Sequence, residues 1–249
     1  MARHVLATVG STNSYGLAAG FGGPAWVLGL EQTAGRGRRA RAWASPRGNF
    51  HGSLVMQPSE PAGVVALRSF AAALALREAL VAATGLATAF RLKWPNDVLL
   101  NGGKVAGILL ESTGAGGGVA HLAIGIGVNL IAFPDQADLP PEAMAAVSVL
   151  VETGVRITPE AFLDLLAPCY AGWEARFLAE GFAPLRAEWL QHAAKLGETI
   201  FARTGSVTRE GVFETIDAGG NLILRTAQGP VAIPAAEVFF HGVDHASGH

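Results

Sequence analysis

The sequence predicts an α+β fold: a mixed β-sheet with helices over residues 1–192, a small all-β barrel over 193–243, and a short tail at 244–249. Three observations predict it. Strand-length apolar runs between residues 90 and 128 are separated by glycine turns of the hairpin kind. Two long helical patterns, each with a start and a stop signal, interrupt the strands. After Lys195 the texture changes to five short runs split by Gly-rich turns within about 45 residues, the spacing of a small barrel.

Taken in order, Val5–Val9 and Trp26–Leu30 read as strands around a small helix at Thr12–Ala19. Residues 32–49 show no periodicity, and Phe50–Gln57 reads as a strand. A helix follows, with Ser59 as N-cap, Pro61 in the first turn, Leu67, Phe70, Leu74 and Val81 on one face, and Gly85 past its end. Strands are expected at Phe90–Lys93, Asp97–Asn101, Lys104–Ser112 and Ala120–Val128, with turns at Asn101-Gly102-Gly103 and Gly114–Gly118. A second helix runs from Thr158-Pro159-Glu160 to Gly181, facing Leu163, Leu166, Tyr170, Trp173 and Phe177 inward. The barrel strands are Thr199–Arg203, Val207–Ile216, Asn221–Arg225, Pro230–Ile233 and Glu237–Phe240.

Composition excludes several classes of function. Lys+Arg 18 against Asp+Glu 20 gives a net charge of −2, so no global basic field holds nucleic acid. Half of the 249 residues are hydrophobic and 15% are charged, which supplies an ample core. One cysteine, Cys169, excludes internal disulfides and a cysteine-based zinc cage, and fits a reducing, cytoplasmic compartment. The mean hydropathy of +0.34 raises the question of a membrane. The two long uncharged runs, His4–Leu30 and Ser112–Pro134, are broken by polar residues and glycines, and neither gives the span of about 20 apolar residues that a bilayer needs. Val5–Val9 is too short for a signal-peptide core. The reading is no targeting and no membrane.

Two constellations carry chemistry. The first is Gly35-Arg36-Gly37-Arg38-Arg39-Ala40-Arg41-Ala42-Trp43, continuing to Ser45-Pro46-Arg47-Gly48-Asn49. Its glycines permit close approach of backbone to a ligand, and its five arginines offer forked donors to carboxylate or phosphate with no acid inside the segment. The match to G-x-G-x-x-A is rejected, because Trp43, Pro46 and Gly48 break the helix that a dinucleotide site requires. The second is Lys93-Trp94-Pro95-Asn96-Asp97, followed by Gly103-Lys104-Val105-Ala106-Gly107-Ile108. It holds two of the chain's three lysines. Asp97 is able to hold metal, orient an amine or pair with Lys93, and Lys93 reads equally as a structural partner or a ligand. Lys104, past a Gly-Gly turn on an apolar strand, reads as site-facing. Ser11-Thr12-Asn13 at a helix start reads first as a cap. Gly125-Ile126-Gly127-Val128-Asn129 ends an apolar strand, where glycines signal close packing.

Together, Ser11-Thr12-Asn13, Gln32 to Arg38, Trp43 to Pro46, Lys93 to Asp97, Gly103 to Leu109 and Gly125 to Asn129 resemble the biotin protein ligases, in that family's order. The resemblance implies a class II aminoacyl-tRNA synthetase-like catalytic domain with a C-terminal SH3-like barrel. It also implies a two-step reaction. Biotin's carboxylate attacks the α-phosphorus of ATP, giving biotinyl-5′-AMP and pyrophosphate, and a carrier lysine then takes the biotinyl group. By resemblance, Arg38, Lys104 and Asp97 are catalytic. Ser11, Thr12, Asn13, Gln32, Gly35, Arg36, Trp43, Lys104 and Gly107 bind biotin. Arg38, Arg41, Trp43, Asn49, Lys93, Asn96 and Asn129 bind ATP. Biotin and ATP are substrates beside Mg²⁺, whose protein ligands are unassigned, and no prosthetic group is implied. Ala40 departs from the glycine usual there, and a methyl group restricts that backbone. Loop 32–48 is expected to order over the bound intermediate and shield it from water.

The expected partner is the biotin carboxyl carrier domain of acetyl-CoA carboxylase or of another biotin-dependent carboxylase. A homodimer through the sheet is left open. Some family members carry a DNA-binding domain, but here Ser11 arrives too early for a helix-turn-helix, so no DNA binding is expected. The alternative reading is a lipoate- or octanoyl-type ligase or transferase; the polar set Ser11, Thr12, Gln32 and Arg36 argues against a purely aliphatic pocket.

Overall fold

The structure is a computed structural model that describes residues 1–114, 118–140 and 142–240. Seven strands form the larger sheet: β1 (Ala2–Leu6), β2 (Ala25–Gly29), β3 (Phe50–Met56), β4 (Phe90–Lys93), β5 (Asp97–Leu100), β6 (Gly103–Thr113) and β7 (His121–Val128). Their order is β1-β2-β3-β7-β6-β5-β4, with β1 parallel to β2 and every other pair antiparallel, so the sheet is mixed. Asn101 and Gly102, both at positive φ, close the β5–β6 hairpin with Leu100 opposite Gly103.

The two faces of this sheet differ. One face carries Trp26, Leu28, Leu54 and Ile124 into the main core, under α2 (Ala62–Ala66), α3 (Arg68–Thr84), α4 (Val149–Thr153), α5 (Pro159–Glu180) and α6 (Phe182–Gln191). On the opposite face Val27, Val55 and Ala123 form a small second cluster with Leu17 of α1 (Thr12–Ala18). Period-two alternation places Ser53, Gly125 and Gly127 on that α1 face, and the cavity described below opens there.

Several boundaries differ from the sequence reading. The first strand is Ala2–Leu6 rather than Val5–Val9, because the chain leaves the sheet after Leu6 and Val9 makes only an isolated bridge to Gln32. The helix expected over 59–85 is two helices. Ser59 does not cap it; the amides of Val64 and Val65 bond to the Pro61 carbonyl. The break falls beside Arg68, whose buried guanidinium turns inward to Glu60 at 2.7 Å and Glu174 at 2.8 Å. Its end at Gly85 (φ 75) is a left-handed C-cap. In α5 Thr158 caps Ala161 N and Gly181 ends the helix at φ 74. Helices α4 and α6 were not expected, although Phe182, Leu185 and Trp189 at helical spacing are the buried stripe of α6.

The C-terminal strands β8 (Thr199–Thr204), β9 (Val207–Ile216), β10 (Leu222–Thr226), β11 (Gly229–Ile233) and β12 (Glu237–Phe239) form an antiparallel sheet ordered β11-β10-β9-β8-β12, a small SH3-like domain. It rests on the larger unit: Trp189 of α6 meets Phe213 at 6.5 Å, and Trp94 Nε1 donates to Gly220 O at 3.1 Å. The centre of the Gly114–Gly118 turn and the tail 244–249 lie outside the described residues. Among the described residues no helix is long and apolar enough to cross a membrane.

Candidate active site

A cavity of about 1210 Å³ opens on the α1 face, bounded by α1, the arginine loop, strands β5 to β7, the segments 134–140 and 142–146, and the β12 rim of the small domain. Pockets for one drug-sized ligand run to about 300–1,000 Å³, so this space accommodates more than one small substrate.

One end is a network of hydroxyls and amides. Ser11 caps α1, accepting from Ser14 N, and so fixes the helix start that presents Thr12 and Asn13. Thr12 donates to Gln32 Oε1 through its amide (2.9 Å) and its hydroxyl (3.1 Å). Ser53 Oγ donates to Asn13 Oδ1 at 2.6 Å and lies 2.7 Å from Thr12 Oγ1. Asn13 Nδ2 donates to Glu111 at 2.8 Å. A Cβ on Gly125 would stand 2.5 Å from Asn13 Oδ1, so this glycine is what admits the asparagine. Ser53 and Glu111 escaped the sequence reading. Ser53 had a signal, a hydroxyl inside the apolar run Phe50–Met56; Glu111 had only its place at the end of an apolar strand.

The arginines scatter to different partners. Arg36 bonds Glu111 at 3.0 Å and Ser14 Oγ at 2.8 Å, at the cavity edge. Arg39 bonds Glu237 at 2.9 Å, and Arg41 pairs with the same carboxylate. Arg47 pairs with Glu31 on the surface at 3.2 Å. Arg38 has no carboxylate partner among the described residues; its Nη1 donates to Ala236 O at 3.3 Å, and burial lowers its pKa against the pull of Asp97. Gly35 does not line the cavity. A Cβ there would sit 2.4 Å from Ser45 Oγ and 2.7 Å from Trp43 O, so it serves the packing of the loop.

The centre holds three basic groups around one acid. Lys104 Nζ lies 2.8 Å from Asp97 Oδ1 and Lys93 Nζ 3.8 Å from Oδ2. The Lys104 contact is a close ion pair at the floor of the cavity. Burial alone would raise the Asp97 pKa; the charges of Lys104 and Lys93 overcome it and hold the carboxyl below its usual range. Burial lowers the pKa of Lys93, with Asp97 opposing, and Phe240 covers the ammonium at 5.6 Å. Asn96 is turned into the strand frame, donating to Ile108 O at 2.6 Å.

Trp43 lies across Gly107 and Gly127, which are register partners in β6 and β7. A Cβ on Gly127 would be 2.5 Å from Trp43 Nε1 and one on Gly107 3.4 Å from Cζ3, so two side-chain-free positions form the slot for the ring. Lys104 Nζ sits 5.5 Å from the ring centroid. Trp43 Nε1 is buried without a partner. Asn129, buried at the far end, donates to Val147 O at 3.1 Å and fixes the 145–147 wall. Asn49 is a correction: it does not line the cavity. Its side chain is directed inward, accepting from Ile131 N and Ala132 N and donating to Ala132 O. Its place next to the arginine loop in sequence suggested a ligand; a buried amide in this frame instead satisfies an irregular turn. No group of three metal-ligating side chains occurs among the described residues.

The mixed sheet with its charged cavity and the small SH3-like domain against one rim coincide with two family matches that set the chain in the biotin–lipoate ligase class. Residues 21–129 match the Biotin/lipoate A/B protein ligase family and residues 195–241 the Biotin protein ligase C terminal domain. The chain is 56% identical over 240 residues to the biotin--[acetyl-CoA-carboxylase] ligase of Paracoccus denitrificans, covering 96% of this chain and 100% of that protein. It is similar to the biotin protein ligase from Aquifex aeolicus in complex with biotin and ATP (TM-score 0.80, 25% identity, 95% of this chain and 97% of that one). It is also similar to the Leishmania major biotin protein ligase in complex with biotinyl-5-AMP (TM-score 0.66, 25% identity, 94% and 99%). The chain belongs to the biotin protein ligase family.

Proposed function

We propose that this chain adenylates biotin with ATP and transfers the biotinyl group to a lysine of a biotin carboxyl carrier domain. The observation that carries the reading is the convergence of Lys93, Lys104 and Asp97 with Arg38 in one cavity, between the Ser11–Thr12–Gln32 network and Asn129. An anionic carboxylate attacking an anionic phosphate needs cations where the charges meet, and Arg38 and Lys104 supply them. The carboxylate oxygen bonds to the α-phosphorus as pyrophosphate leaves. Mg²⁺ enters with the triphosphate as part of the substrate.

The ureido ring of biotin takes hydrogen bonds from Ser11, Thr12, Gln32 and Arg36, with Asn13 shaping that end and Gly35 packing the loop behind it. Trp43 covers the apolar body of the intermediate over Gly107. Arg41, Lys93, Asn96 and Asn129 belong to the nucleotide side. In the second step the acceptor amine attacks the acyl carbon, AMP leaves and a proton is lost. A free lysine titrates near about 10.4. An amine arriving beside Lys93, Lys104 and Arg38 has its charged form disfavoured by like charge. Asp97, held ionised by its lysines, orients that amine.

We assign residues 1–192 to this chemistry and 193–243 to a domain that supports it, in a cytoplasmic enzyme. The carrier is that of acetyl-CoA carboxylase, the substrate class in the name of the Paracoccus relative. Pyrophosphate release from ATP tests the acid: it appears with biotin and is absent with octanoate or lipoate. Release with octanoate or lipoate and none with biotin moves the assignment to the other branch of the family.

A further inference from the structure

Arg39 (φ 56) and Ala40 (φ 58) are consecutive non-glycine residues in the left-handed region. That region disfavours an alanine by about tenfold in population, so such a pair persists only when its surroundings impose it. Arg39, Ala40 and Arg41 are exposed, and the base of the loop is closed by the Arg36–Ala42 bridge and by Trp43 N to Gly35 O at 3.0 Å. The turn's own backbone bonds, Gly37 N to Arg41 O at 2.8 Å and Arg41 N to Arg38 O at 3.3 Å, stay within it. The external restraint comes from the small domain. Glu237 takes the guanidinium on each side of Ala40, Arg39 at 2.9 Å and Arg41. Glu237 is itself fixed by Arg203 at 3.1 Å, its register partner across β8 and β12, and Arg203 is fixed by Glu142 at 3.0 Å and by the Phe239 ring at 4.7 Å. A residue 198 positions from Arg39 thus holds the chain on both sides of Ala40.

We propose that Glu237 is a positioning residue, which holds the loop in its left-handed turn at Arg39-Ala40 and so aims Arg38 at the reacting centre. The inference rests on the adenylating role given to Arg38 above. A carboxylate near a triphosphate would by itself repel it, but three guanidinium groups surround this one, so its loss acts through loop geometry rather than through charge. The clasp suits a chain with alanine at position 40: a glycine there reaches the left-handed region unaided.

The test is a cycle of four full-length chains: the natural one, Glu237→Gln, Ala40→Gly and the double variant. Two readouts apply, kcat/KM for ATP in biotin-dependent pyrophosphate release and the rate of tryptic cutting within residues 36–47. Glu237→Gln lowers kcat/KM for ATP about tenfold, the population of one left-handed alanine, and cutting accelerates while the Kd of biotin stays within about twofold. Ala40→Gly recovers roughly threefold of that loss, because glycine removes the steric penalty but gains freedom in the open loop. It changes the natural chain by less than about twofold, where the turn is already held. Glu237→Asp, which keeps the charge, retains more activity than Glu237→Gln. Unchanged kinetics in Glu237→Gln, a gain in kcat/KM, or an equal effect of Ala40→Gly in both backgrounds overturns the proposal. If the natural chain releases no pyrophosphate, the functional reading fails and the cutting rates still decide the clasp. If Glu237→Gln does not fold, Arg39→Gln opens the clasp from the exposed side, and rescue by Ala40→Gly decides in the same way.

Discussion

Lys104 meets Asp97 on one side and the Trp43 face on the other, at the junction of the two substrate ends of the cavity. Its charge matters most where the carboxylate and the phosphate crowd together, and least in the free enzyme. Lys104→Ala is therefore expected to lower kcat for pyrophosphate release on the order of a hundredfold. The Kd of biotin should change by less than about fivefold, because the ureido contacts lie elsewhere. Titration calorimetry for biotin beside steady-state kinetics checks the split. A second residue-scale prediction concerns His51, buried under the loop with Nε2 3.2 Å from Pro46 O. Burial lowers its pKa from the ordinary 6.5, with the Pro46 carbonyl opposing. The unfolded chain then takes up a proton near pH 6.5 that the folded chain refuses until lower pH. Stability is lost as pH falls below 6.5. Melting temperatures from pH 8 to 5.5 should fall more steeply for the natural chain than for His51→Asn.

At the scale of elements, Arg68 shows how charge shapes a helix that apolar periodicity alone would draw straight. It joins the start of α3 to Glu60 and to Glu174 of α5, with Tyr170 donating to Glu174 at 2.9 Å. Arg68→Met leaves two half-buried carboxylates without a counter-charge, a loss of about 3 kcal/mol that lowers Tm by roughly 10 °C. Calorimetry reads it directly; a change under a few degrees would mean the carboxylates find water. The strands and hairpins of the sheet are legible in the sequence, since alternation and the Asn101-Gly102 turn are local signals. The break at Leu67 is not, because the partners of Arg68 lie 8 and 106 residues away. The same limit governs the site. Motif residues such as Lys104 and Asp97 announce themselves by type and spacing. Glu237, Glu142 and Glu111 come from distant elements and carry no motif. Asn49 misled because nearness in sequence to the arginines placed it at the cavity, whereas its amide serves a turn behind it.

The whole molecule brings two sheets to one cavity. The larger sheet offers its α1 face, cleared of side chains by Gly107, Gly125 and Gly127, and the small domain closes the rim with Ala236, Glu237 and Phe240. Trp94 is tied to Gly220 and Lys93 lies over Phe240, so the Lys93–Asp97 motif is gripped from both units. The most direct test of the account is the intact mass of a purified biotin carboxyl carrier domain of acetyl-CoA carboxylase after incubation with this protein, biotin, ATP and Mg²⁺. The account predicts a gain of one biotinyl group on one lysine, absent when ATP is omitted. An unchanged mass, with no pyrophosphate released in the same sample, would contradict it.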